Sequence, residues 1–183
     1  MEITQNPAAY SEAAVRKFPE QVVIAIARDQ NGICNPITLG WTMITSHKPP
    51  MMAISVGFPR YSCEVIREAG EFVIAFPSQD MAKDVLFFGT SSGRDVNKLD
   101  KSGTHVLPAE KIDCVLLNDA VANFECRVTG ELETGDHALF AGEILQSWVH
   151  SGTPKRLYTI GSGYSMGTVI PEEAMKYSPG MFD

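Results

Sequence analysis

Val22 to Ala27 is an unbroken apolar, mostly β-branched run, and Asp29-Gln30-Asn31-Gly32 supplies turn residues before Ile33, so the pattern predicts a hairpin. Ile37 to Thr45 and Met51 to Val56 read as two further strands, joined by the turn Ser46-His47-Lys48-Pro49-Pro50. A short helix is predicted from Cys63 to Ala69, with Ser62 as its N-cap and Gly70 as its stop. Glu71 to Phe76 then reads as a buried strand ended by Pro77, and Asp80 as the cap of a second helix through Phe88. From Gly89 to about Lys111 the pattern weakens into a polar loop, and a loop of that length in a compact domain points to binding. Val121 to Glu131 alternates, with Ala122, Phe124, Cys126 and Val128 on one face. Thr134-Gly135-Asp136 turns it into a second long strand, His137 to Val149, and Leu157 to Tyr164 is the last strand. Many strands, two short helices and hairpin connections predict a mainly β fold, a closed antiparallel barrel rather than βαβ units. The tail, Pro171 to Asp183, reads either as a helical turn with a partner-binding arm or as a fraying end.

Length and composition narrow the function without naming it. The 183 residues are enough for one domain with a full core, expected over 1–183 with its centre at about 20–170, and 44% hydrophobic with 20% charged residues is ordinary globular composition. A formal charge of -7 and the lack of a basic cluster exclude a general nucleic-acid binder. The N-terminus lacks the basic start and apolar run of a signal peptide, and no stretch approaches the roughly 18 apolar residues of a membrane helix, so a cytoplasmic protein is expected. Cys34, Cys63, Cys114 and Cys126 form no C-x-x-C pair and are read as reduced thiols acting as small apolar residues. The four histidines lack metal-ligand spacing, so no metal site is expected.

The candidate chemistry begins with hydroxyls. Thr38, Thr42, Thr45, Ser46 and Ser55 stand among apolar residues, where a half-buried sheet gains nothing from them unless something accepts or donates a hydrogen bond. A flat ligand with polar edges would do so. Gly163-Tyr164-Ser165-Met166-Gly167 matches the G-x-S-x-G pattern, but the last histidine is His150, so the chain order of a hydrolase triad is missing. Gly161-Ser162-Gly163 with Gly167 has no βαβ unit after it and is no dinucleotide fingerprint. On sequence alone His137 reads as a solvated hairpin histidine, Arg94 and Lys98 as a solvated pair, and Trp41 as core.

A resemblance changes those three readings. Asn35-Pro36-Ile37-Thr38-Leu39-Gly40-Trp41-Thr42, Thr45-Ser46 ahead of Pro49-Pro50, and Arg60-Tyr61-Ser62 at a helix start resemble the flavin reductase-like family, which includes flavoredoxin-like proteins and binds FMN on a split β-barrel. Ser92-Gly93-Arg94-Asp95-Val96-Asn97-Lys98, Gly135-Asp136-His137 with Gly142-Glu143, and Leu157-Tyr158-Thr159-Ile160-Gly161 match in the same order; Asn97 departs from an expected acidic residue. The resemblance implies FMN contacts from Asn35, Thr38, Leu39, Trp41, Thr42, Met43, Ser46, Ser55, Arg60, Ser62, Arg94 and Lys98. It places His137 on the nicotinamide side as the catalytic residue. It implies an NAD(P)H:flavin oxidoreductase with NADH or NADPH as hydride donor, a homodimer, and a monooxygenase or redox protein as partner. A flavoredoxin-like carrier reduced by a protein is the alternative, and a ligand-free β-barrel interaction module the third.

Overall fold

The computed structural model describes residues 5–168, so the tail expectation lies outside the described residues. The long β-branched runs become strands because alternate residues bury on both sheet faces. Strands β1 (Glu20–Gln21), β2 (Val23–Arg28), β3 (Cys34–Leu39), β4 (Thr42–His47) and β5 (Pro50–Gly57) lead into helix α2 (Tyr61–Ala69), after a short α1 (Tyr10–Ala14). Then follow β6 (Glu71–Phe76), α3 (Ala82–Thr90), α4 (Lys98–Ser102), β7 (Val106–Pro108), β8 (Val115–Leu117), β9 (Ala122–Thr134), β10 (His137–Val149), β11 (Tyr158–Gly161) and β12 (Ser165–Gly167). Seven of these form one antiparallel sheet in the order β3-β2-β6-β9-β10-β5-β4.

The sheet curls around one core and carries a second on its outer face. Val23, Ala25, Phe72, Ile74, Ile54, Phe140 and Cys126 meet Val65 and Ile66 of α2 inside the curl, while Ile24, Ile26, Val73 and Ala75 meet Val85 and Phe88 of α3 outside it. A strand buried on both faces shows no hydrophobic alternation, which explains the continuous apolar runs of β2 and β6. Two bulges, at Ala141/Gly142 and Ile144/Gln146, bend the long β9-β10 hairpin around the inner core. At the first, Gly142 leaves room for Phe72, whose Cζ would lie 2.7 Å from an added Cβ.

Several sequence expectations shift. The barrel is split, as the resemblance implies, rather than closed as the strand pattern alone suggests, because the end strands β3 and β4 are not laddered to each other among the described residues. The Ile37 to Thr45 run breaks at Gly40-Trp41, where the chain leaves β3 and re-pairs with β5. Arg60, not Ser62, is the N-cap residue of α2; Ser62 lies buried in the first turn. Asp80 caps no helix among the described residues: it sits in a 3-10 turn, and α3 starts at Ala82 without a side-chain cap there. The loop from Gly89 to Lys111 holds α4 and β7. Asn97 caps α4, accepting from Asp100 N and donating to Asp100 Oδ2 at 2.7 Å. The Leu157 to Tyr164 strand is shorter than expected, turning at Ser162-Gly163-Tyr164 into β12. Among the described residues no helix is long and apolar enough to cross a membrane.

Candidate functional site

The split between β3 and β4 opens a groove made of three hollows. The first, about 160 Å³, lies between the start of α2 and the segment after α3, lined by Pro59, Arg60, Tyr61, Ser62, Ser92, Gly93, Arg94 and Lys98. A second of about 180 Å³ shares Ile37, Arg60 and Gly89 with it and adds Thr38, Leu39, Trp41, Ser55, Gly57 and His137. The third, about 290 Å³, shares Gly40, Trp41 and Ser55 with the second and continues along Thr42, Met43, Ala53 and Leu139 to Glu20 and Gln21. The groove therefore runs from a cationic end to an apolar one. Another hollow, of about 260 Å³ among Arg28, Asp29, Glu68, Glu71 and Asp113, takes in none of the candidate site residues.

Lys98 is the informative residue at the cationic end. It is 3% exposed, and its Nζ donates to Pro36 O at 2.6 Å and Phe88 O at 3.0 Å. An ammonium has three N–H donors, so one is left without a partner among the described residues. Burial, with the Arg60 guanidinium nearby, lowers its pKa to about 8. Arg60 lines both adjoining hollows and forms no ion pair among the described residues. Arg94 is already engaged: it stacks over the Tyr61 ring at 4.9 Å and pairs with Glu64 Oε2 at 2.9 Å. Both partners of that pair are about half exposed, so it is worth at most about 1 kcal/mol and yields readily to a better acceptor.

Asn35 stands behind this end rather than in it. Its Nδ2 donates to Ser62 Oγ at 2.7 Å, while its buried Oδ1 has no partner among the described residues and faces Gly93. A Cβ on Gly93 would lie 2.0 Å from that oxygen, so only glycine lets the loop approach.

The middle of the groove is walled by Trp41 and His137, whose ring centroids are 4.7 Å apart. His137 is not a free hairpin side chain: Nδ1 bonds Asp136 Oδ1 at 2.6 Å, holding the carboxyl of Asp136 below its ordinary pKa. Nε2 is thereby turned toward Gly57 and the hollow. Trp41 is 46% exposed and Met43 51%, so both present apolar surface to the groove rather than to the core.

The hydroxyl argument needs correction. Thr38 Oγ1 donates to Val85 O at 2.6 Å and Thr42 Oγ1 to Ala53 O at 2.9 Å, so both are satisfied by the chain itself. Ser46 lies outside the groove, its Oγ accepting from Lys48 N in the β4-β5 turn. Ser55 does line the groove and makes no side-chain hydrogen bond among the described residues. Sequence reasoning missed Tyr61 as the platform for Arg94, Pro36 and Phe88 as carbonyl anchors of Lys98, and Leu139 in the apolar wall. Pro36 and Tyr61 stand in the matching motifs without a role of their own, and Leu139 left a signal as an alternate position on β10.

A family model described as "Flavin reductase like domain" matches residues 15–167. An uncharacterized protein of Archaeoglobus fulgidus is 40% identical over 111 residues, which are 61% of this chain and 63% of that relative's length. The fold is similar to that of a flavoredoxin from Methanosarcina acetivorans, with TM-score 0.80, 26% identity and coverage of 100% of this chain and 98% of that one. It is also similar to the NADH:FAD oxidoreductase SgcE6 of Streptomyces globisporus, TM-score 0.78 at 19% identity over 93% of this chain and all of that one, a likeness of fold alone. With a split antiparallel barrel and a family match spanning nearly all the described residues, the chain belongs to the flavin reductase-like family.

Proposed function

We propose that this chain binds FMN in the groove and acts as an NAD(P)H:flavin oxidoreductase. The observation that carries the reading is Lys98: a buried ammonium, costly in itself, with an N–H left over among the described residues at one end of a groove whose other end is mostly apolar. A phosphate dianion there would offset the burial. Lys98, Arg60, Arg94 and the first-turn N–H groups of α2 would hold it, the last because a helix start offers unpaired donors. Gly93 fits the same role, since a side chain there would push the loop off Asn35.

Along the remaining groove, Trp41, Thr42 and Met43 would border the ring, with the Ser55 hydroxyl as an uncommitted polar contact. When bound, FMN would supply the redox chemistry by accepting a hydride from NADH or NADPH. His137 would act on the dinucleotide and not on FMN. With Nδ1 tied to Asp136, its Nε2 side offers a hydrogen bond, or a charge when protonated, to a carboxamide or phosphate entering the hollow. A homodimer, with β4 near the interface, is part of the proposal. Met43 and Ile44, 51% and 63% exposed on that edge strand, support it. A monooxygenase or another redox protein is the proposed recipient of the electrons.

A second reading, a flavin-bound electron carrier reduced by a protein partner, is favoured by the likeness to flavoredoxin over the whole chain. The deciding experiment is the visible spectrum of the FMN-loaded protein before and after NADH or NADPH without oxygen. Bleaching by either supports the reductase. Bleaching by dithionite alone supports the carrier, and failure to bind FMN removes both.

A further inference from the structure

Gln21 lines the apolar end of the groove and stands opposite Tyr158 in the β1-β11 ladder. Arg156, two residues before Tyr158, falls on the same face and diagonal to Gln21, within reach of a long side chain. The backbone around Arg156 is pinned to the segment after β6: Ser78 bridges to it, Gln79 N donates to Lys155 O at 2.8 Å, and Leu157 N to Pro77 O at 3.0 Å. Its guanidinium lies over the Phe76 ring at 4.2 Å and the Tyr158 ring at 4.9 Å. Among the described residues it forms no ion pair, and its buried Nε has no partner. One Nη2 bond, 3.3 Å long, goes to Gln21 Oε1, and Gln21 Nε2 in turn donates to Thr42 O at the start of β4.

These two contacts fix the amide from both sides. A guanidinium can only donate and a backbone carbonyl can only accept, so the amide oxygen faces Arg156 and the nitrogen faces Thr42. That nitrogen carries two N–H donors, and Thr42 O takes one. The other has no partner among the described residues, in a hollow otherwise walled by Trp41, Met43, Ala53 and Leu139. Glu20, the carboxylate in the same hollow, is already engaged by Lys17 at 2.8 Å.

We propose that Gln21 donates its free amide N–H to a carbonyl of the flavin ring, and that Arg156 is the positioning residue that holds the amide in this orientation and so favours the reduced ring. The inference rests on the reading of the groove as an FMN site. The bond from Arg156 to the amide oxygen polarises the amide and strengthens its remaining N–H as a donor. Two-electron reduction enriches the ring carbonyls in charge, so a donor placed there holds the reduced ring more tightly than the oxidised one and raises the potential of the bound flavin.

Two measurements on the full chain test this. In nuclear magnetic resonance of the isotope-labelled protein, one of the two Gln21 side-chain amide protons should move downfield when FMN is added, and riboflavin should do the same because the contact is with the ring. This readout needs no variant to fold. The potential of bound FMN, set by dithionite reduction beside a dye of known potential, should fall in both Gln21→Met and Arg156→Met. The expected loss is about tenfold in the preference for reduced over oxidised flavin, the worth of one hydrogen bond to a charged acceptor, or about 30 mV for a two-electron couple. Since Arg156 acts through Gln21, the double variant should fall no further than the larger single shift. Gln21 protons that ignore FMN while fluorescence titration shows it bound overturn the proposal and leave the FMN reading standing. So does an unchanged potential in folded Gln21→Met, and additive shifts in the double variant overturn the role of Arg156. An unaltered chain that binds no FMN overturns both readings.

Discussion

If Lys98 meets the flavin phosphate, the affinity for FMN depends on pH in a way set by the burial of its ammonium. The distance from 10.5 to about 8, at about 1.4 kcal/mol per pH unit, makes about 3 kcal/mol the cost of holding that charge in the ligand-free fold. The sign follows from where each state holds the proton. Between about 8 and 10.5 the unfolded chain is protonated at Lys98 and the folded chain is not, so the cost is full below 8 and disappears as pH rises through that window. Binding responds oppositely. A phosphate dianion favours the charged form, so FMN affinity should be level from about pH 7 to 8 and then fall about tenfold per pH unit, about 1.4 kcal/mol each. Riboflavin, which has the same ring and no phosphate, supplies the control, since ring ionisation affects both. Flavin fluorescence titration at about pH 7, 8 and 9.5 should show the ratio of FMN to riboflavin affinity shrinking at the highest pH, and Lys98→Met should remove the inflection. A ratio unchanged across that range refutes the assignment of Lys98 to the phosphate.

Other parts of the site make separate predictions. Arg94→Ala should weaken FMN binding by about 1.5 to 3 kcal/mol with the fold intact, measured by calorimetry at low salt; an unchanged Kd rejects its role. His137→Ala should bind FMN nearly normally yet reduce it about tenfold more slowly in anaerobic stopped-flow at fixed NAD(P)H, about 1.4 kcal/mol of barrier. An unchanged rate makes His137 a bystander. Gly93→Ala forces a Cβ onto Asn35 and should lower stability by about 1 to 3 kcal/mol in urea unfolding; no loss would mean that the loop can move aside. Sedimentation of the FMN-loaded chain at micromolar concentration should give twice the monomer mass, and a fully active monomer would take the interface out of the account.

The parts of the fold legible in the sequence are those where local chemistry and tertiary structure agree. Glu71 to Phe76 and His137 to Val149 are strands with the expected bounds, because turn residues flank each run. Gly70 ends α2 in the left-handed conformation that glycine adopts without strain. What was not legible depends on contacts far along the chain. Glu125 lies on a face of β9 that alternation marks as polar, yet it is wholly buried. It accepts from Lys111 N at 2.6 Å and Trp148 Nε1 at 2.6 Å, and from Glu110 N as well. No pattern around position 125 announces those donors. Lys98 has the same character, its partners lying 62 and 10 residues away. The break at Gly40-Trp41 was hidden because neighbouring apolar residues mimic a continuous strand. The hydroxyls misled in the opposite way, since Val85 and Ala53 carbonyls satisfy two of them.

The gap between β3 and β4 has a consequence for handling the protein as well as for its chemistry. Each strand is laddered on one side only among the described residues, β3 to β2 and β4 to β5, so two rows of backbone donors and acceptors end at the groove and its flank. Such edges recruit further strands, and Met43 and Ile44 add exposed apolar surface to one of them. A bound ring or a docked subunit would cover the same row. The opening that makes room for a ligand is then also the place where the bare chain is most adhesive, so loss of the ligand and loss of solubility would share one structural origin.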